Sequence, residues 1–283
     1  MDVEKVHLTK EHETYLSTLY GKALDSRAEN PILGDTFADE VVHRIDFDFE
    51  KLKLAKGGEI TLPWRAKHLD SWAREFLDAH PESTVLHLGC GLDSRVFRID
   101  PPATVRWYDV DLPDVIELRR HLYPERHDYE MIATSVTDLR WLDGIAGDRP
   151  VIVVAEGLVE YLPKKNAVAL FCQITEQFPS GQIIFAAYSR LTVRLINLAV
   201  RLTTLRSKPT ATGTPMFLPW GIDDPRELEK EVPRLRFVTT VPFLTMPEMV
   251  AQLLHSRAQA MLYRVLERFE WYRRSMQHFC YEF

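Results

Sequence analysis

The run Thr84-Val-Leu-His-Leu-Gly-Cys-Gly91 limits this chain to few architectures. Val85, Leu86 and Leu88 make a short apolar strand of the kind buried on both faces of a parallel sheet, and the residues after Gly91 open a helix. Gly89 and Gly91 mark a backbone that must turn sharply at the strand end. Without a Cβ, such a turn also lets a ligand lie against bare peptide groups, as in nucleotide-binding βαβ units. The turn therefore reads as the floor of a cofactor site in an α/β sheet.

Two details narrow the cofactor. A dinucleotide fingerprint would place a third glycine three positions after Gly91, where this chain has Ser94, and Asp93 sets a carboxylate where a diphosphate would approach. That disfavours a diphosphate ligand, and with it a nicotinamide-dependent oxidoreductase. The next strand, within Arg106-Trp-Tyr-Asp-Val-Asp-Leu-Pro113, ends in Asp109 and Asp111. An acid about 20 residues beyond a glycine turn can accept both ribose hydroxyls. Asp111 is the first choice for that diol. Asp109 is a candidate to share it, and either acid also suits the helix N-terminus that Pro113 opens.

Further strand patterns at 129–133, 151–155, 182–187, 236–241 and 277–283 bring the strands to seven, with helical periods between them at 11–28, 36–44, 64–77 and 247–269 and beyond Pro113 and Pro163. The expected fold is a Rossmann-like, mostly parallel seven-stranded sheet with helices on both faces. It divides into an N-terminal helical cap (1–62), a cofactor-binding core (63–187), a helical lid after strand five (188–221) and a C-terminal part completing the sheet (222–283). A chain of 283 residues, 46% of them hydrophobic, can bury one large core. The net charge of -6 gives no footprint for nucleic acid. Cys90, Cys172 and Cys280 lack any C-x-x-C spacing, so neither a disulfide framework nor a metal site is expected. With no secretory signal and no apolar run of membrane-spanning length, the expectation is a soluble cytoplasmic protein.

The runs LHLGCGLDSRVFRID, WYDVDLPDVIELRR and VVAEGLVEYL, with DSRAENPILGDTFADEVVHRIDFDF near the N-terminus, resemble the leucine carboxyl methyltransferase family, which includes bacterial enzymes acting on polyketides and other natural products. The likeness spans roughly residues 14–188. It implies S-adenosylmethionine as cofactor and S-adenosylhomocysteine as product. It also implies that Arg65, on the helix before the glycine loop, binds the cofactor's methionine carboxylate through its planar fork, and that Asp70 on the same helix is structural. Ligands of open α/β sheets lie beyond the carboxyl ends of the strands, so Glu156, after the β-branched run 151–155, should face the same crevice as Gly89 and hold the methionine ammonium. The loop with Ser135, Val136 and Asp138 offers an acceptor and an apolar clamp for adenine. Tyr161 is placed to touch the acceptor, and Glu160 stands where many bacterial relatives have an apolar residue. His278 reads as structural.

The segment 188–221 carries Arg190, Arg194, Arg201, Arg206 and Lys208 without an acid, and Leu191, Leu195, Leu198 and Leu202 at helical spacing. Three readings stand side by side: a lid whose arginines, Arg190 and Arg194 among them, position an acidic and largely apolar acceptor; ordinary packing with solvated arginines; or a membrane-surface contact. The function expected is O-methylation of a small molecule, with a carboxylate as acceptor because it needs no base. A phenol or alcohol would need one, and His7, His12, His43 and Tyr161 are the available choices. A cofactor-binding protein without turnover is the remaining alternative.

Overall fold

The computed structural model describes residues 10–52, 54, 57–206, 217–254 and 256–283. His7, named above as a possible base, and residues 207–216 of the segment read above as a lid lie outside the described residues, as does the side chain of His12. Two helices, α1 (Lys10–Ser26) and α2 (Thr36–Arg44), lead to the long helix α3 (Gly58–Ala79). Then β1 (Thr84–Leu88), α4 (Arg95–Ile99), β2 (Arg106–Asp111), α5 (Pro113–Leu122), β3 (Tyr129–Ala133) and β4 (Val151–Ala155) follow. A 3-10 turn (Val159–Tyr161) precedes α6 (Lys164–Gln177), β5 (Gly181–Tyr188) and α7 (Arg190–Arg206). The chain closes with α8 (Glu227–Glu231), β6 (Arg236–Pro242), α9 (Pro247–Leu253), α10 (Arg257–Leu266), α11 (Glu270–Arg273) and β7 (Met276–Glu282).

The seven strands run in the order β3-β2-β1-β4-β5-β7-β6. The first five are parallel, and β7 runs antiparallel between β5 and β6. The strand order reverses between β1 and β4, which opens a crevice at their carboxyl ends. β1 and β4 are buried along their whole length, which is why β4 is apolar throughout and β1 nearly so, with Thr84 and His87 its polar members. One core cluster sets Leu86, Val153 and Phe185 against α6; another sets Val85, Ile152 and Ile184 against α3. A third packs Leu16 and Leu19 of α1 on Val41 of α2 and on Leu92 just after the glycine turn, so the N-terminal cap is tied to the site floor.

Two element boundaries differ from expectation. α3 starts at Gly58, with Gly57 left-handed (φ 81°) at its N-cap, so Pro63 lies inside the helix, where it leaves one i→i−4 hydrogen bond unmade. The pattern at 247–269 is not one helix but two, α9 and α10, with Ser256 capping the second by accepting from Gln259 N. No helix among the described residues is long and apolar enough to cross a membrane.

Candidate active site

A cavity of about 740 Å³ lies at the carboxyl ends of β1, β4 and β2. Its floor is the glycine turn. Gly89 sits at φ +62°, and a Cβ there would come within 2.9 Å of Leu158. Gly91 is also left-handed, and its N–H donates to Asp111 Oδ2 at 2.7 Å, while Asp111 Oδ1 accepts from Leu112 N at 2.7 Å. Two backbone donors thus aim the Asp111 carboxylate along the cavity wall, with lone pairs left over. Its pKa is raised by burial, which the two amides only partly offset.

The inner end of the cavity is charged. Arg65 Nε donates to Glu156 Oε1 at 2.9 Å, and Arg95 Nη2 bonds the other oxygen of Glu156. Lys22, from α1, is almost fully buried with Nζ 3.0 Å from Asp93 Oδ2 and 3.8 Å from Glu156 Oε1, yet it makes no hydrogen bond. Behind these groups Asp70 holds Arg95 at 2.7 Å and Arg98 at 2.6 Å, and Arg98 reaches on to Asp35 and Asp93. Burial alone would raise the Glu156 carboxyl, but Lys22, Arg65 and Arg95 hold it well below the usual carboxylate range. Lined by Leu62, Leu158, Phe243, Leu244 and Met276, the rest of the cavity is mainly apolar, with Tyr161 and Tyr188 on the same wall.

Arg65, Gly89, Gly91, Asp111, Glu156 and Tyr161 therefore meet in one cavity, as the sequence suggested. Asp109 does not. It is fully buried beneath the loop, accepting from His87 Nδ1 and Trp107 Nε1 at 2.9 Å, from Tyr129 at 2.7 Å and from Arg119. Those donors use up its oxygens, and Arg119 and His87 bring its pKa to about 2 despite burial. Its role is to anchor α5 and β3 under the loop, so the shared ribose role falls away. The adenine candidates also stand apart from the cavity wall: Ser135 bonds Thr137, Val136 packs into the core, and Asp138 is turned outward onto Arg140 at 2.8 Å. Arg190 and Arg194 are exposed and off the wall. Arg190 pairs with Glu227 and Asp223, acids that lie beyond the acid-free segment. Among the described side chains of α7 only Thr192 lines the cavity, while Leu191, Leu195, Leu198 and Leu202 are 43–52% exposed, so the leucine stripe faces away from the pocket.

Comparison with known proteins separates the possibilities for such a cavity. The family model for leucine carboxyl methyltransferases matches residues 16–175. The tetracenomycin polyketide synthesis O-methyltransferase TcmP of Streptomyces glaucescens is 46% identical over 234 residues, covering 83% of each chain. The chain belongs to the leucine carboxyl methyltransferase family. It is an S-adenosylmethionine-dependent methyltransferase. The S-adenosyl-L-methionine-dependent methyltransferase dpfgK of Gibberella zeae is 36% identical over 256 residues, 84% of each chain. In fold, the chain matches a crystal structure from Thermobifida fusca YX with a TM-score of 0.56, at 15% identity, over 94% of this chain and 93% of the other.

Within this family member, Lys22 is the site residue that pattern reading passed over. It lies three residues after Leu19 and next to Ala23, on the apolar face of α1. A lone lysine on a buried stripe is costly unless it is paired, and that was the available signal. Arg95 and Asp93 gave less, since their pairing with Glu156 and Lys22 depends on where three separate elements meet.

Proposed function

We propose that this methyltransferase transfers the methyl group to a carboxylate oxygen of a small, largely apolar molecule of polyketide type, and that its own residues bind and align rather than move protons. The cavity fits the cofactor it would hold. Lys22 and Arg65 would take the methionine carboxylate, Glu156 the ammonium, Asp111 the ribose diol, and Leu112 with Val115, beside Asp111, the adenine face. The bound cofactor supplies an activated methyl group on a sulfonium. Gly89 and Gly91 let it lie against the strand end, and the apolar wall excludes water.

What carries the carboxylate reading is the lack of a poised base on the described cavity wall. His87 has Nδ1 at Asp109 and Nε2 at an Arg95 N–H, so both ring nitrogens are committed. Asp93 and Glu156 are ion-paired and held low. Burial pushes the Tyr161 phenol up to about 12 and the Cys90 thiol well above its ordinary value. A carboxylate arrives already ionised, and alignment alone can supply on the order of 7–11 kcal/mol of barrier lowering. The name of TcmP supports an oxygen acceptor and a polyketide setting. The test is methyl transfer to matched fused-ring aromatic acids and phenols, with products identified by mass spectrometry. Methyl esters from the acids are expected; turnover confined to the phenols would overturn the reading.

A further inference from the structure

Glu160 is the buried carboxyl at this end of the sheet that nothing above employs. It sits in the 3-10 turn between Leu158 and Tyr161, both of which line the cavity, and is only 3% exposed. Its Oε2 has no hydrogen-bond partner, a rare condition for a buried oxygen and one that calls for a reason. The neighbouring buried carboxylates, Asp35, Asp70, Asp93 and Glu156, all sit in ion pairs with Lys22, Arg65, Arg95 and Arg98. Those four acids and four bases already balance. The groups facing Glu160 are Arg65 from α3, Glu156 at the end of β4, Tyr161 on its own turn and Tyr188 from β5, against which the turn packs. Arg65 is the one cation among these, and its Nε is given to Glu156. Burial, with a smaller push from Glu156, outweighs Arg65 and its own backbone amide and raises Glu160 to about 7.

We propose that Glu160 sets the charge specificity of the acceptor pocket: protonated, it leaves the wall behind Tyr161 and Tyr188 neutral and open to an anionic acceptor; ionised, it places an uncompensated negative charge there that repels one. The proposal rests on the carboxylate reading above. An apolar residue at this position would leave the wall neutral at every pH, whereas Glu160 makes acceptance of an anion depend on a proton.

Calorimetry on the full chain saturated with S-adenosylhomocysteine tests this, using anthraquinone-2-carboxylate and its neutral carboxamide as probes. Between pH 6 and 8.5 the carboxylate should lose about tenfold in affinity, and the carboxamide should not change. At pH 7, buffers of different ionisation enthalpy should show uptake of about half a proton per carboxylate bound. Glu160→Gln, or Glu160→Met should the first variant fold poorly, should flatten the pH curve and abolish proton uptake, which a purely structural role would not do. The same curve in parent and variant, or affinity rising with pH, overturns the role of Glu160 and leaves the carboxylate reading standing. Absence of carboxylate binding at every pH removes the carboxylate reading, and this inference with it.

Discussion

At the scale of single residues, the site is a set of committed hydrogen bonds with a few openings, and the openings predict which substitutions matter. Asp111 keeps free lone pairs, so Asp111→Ala should weaken S-adenosylhomocysteine binding by about one to two decades, since a hydrogen bond to a charged group is worth roughly 1.5–3 kcal/mol; unchanged affinity in a folded variant would remove the ribose assignment. Glu160 predicts a stability effect of definite sign. Its carboxyl titrates near 4.5 when exposed and at about 7 in the fold, so the folded state holds the proton longer than the unfolded one. Its cost to stability is therefore absent below the unfolded value, grows as pH rises and levels off above about 7. Glu160→Gln should stabilise the fold at pH 8 by up to roughly 3 kcal/mol and change little at pH 4, as read by urea unfolding. Gly89, Gly91, Arg65, Asp111 and Glu156 were legible in the sequence because turn geometry, strand ends and the family likeness each point to single positions. Asp109 misled because two acids at adjacent same-face positions look equivalent until His87, Trp107, Arg119 and Tyr129 close around one of them.

At the scale of elements, the sheet was readable where strands are buried on both faces, as in β1 and β4, and where β7 alternates Phe279 and Tyr281 toward the core. α7 was readable as a helix but not in its orientation. Its leucine stripe and its arginines are compatible with a pocket or with solvent, and only the anchoring of its first turn, through Val193 and the Arg190 N–H to Asp223, settles which way it faces. Because Arg190 and Arg194 stand off the cavity wall, Arg190→Gln and Arg194→Gln should each leave KM and kcat for an aromatic carboxylate within about twofold of the parent, as expected of exposed and screened charges. A tenfold rise in KM for either would restore a positioning role. α1, read from the sequence as part of an N-terminal cap, brings Lys22 to the cavity. Lys22→Gln should weaken S-adenosylhomocysteine binding by about tenfold or more, through lost charge pairing at a buried site, with no change in the acceptor's KM.

At the scale of the whole molecule, the strand-order reversal between β1 and β4 gathers Gly89, Asp111 and Glu156 from three strand ends, while α1 and α3 bring Lys22 and Arg65 over the top. Lys22, Arg65 and Glu156, in contact or nearly so at one end of the cavity, and an apolar chamber at the other, would suit a zwitterion joined to a reactive methyl group. On the function proposed above, Arg65 takes the carboxylate of that zwitterion and Glu156 its ammonium. Isothermal titration of S-adenosylhomocysteine into the parent and into Arg65→Lys tests it most directly, because lysine keeps the charge and loses only the planar fork. A loss of about tenfold or more in affinity, with unchanged thermal stability of the free protein, is the predicted result; equal affinity in the two proteins would place the zwitterion elsewhere and contradict the account.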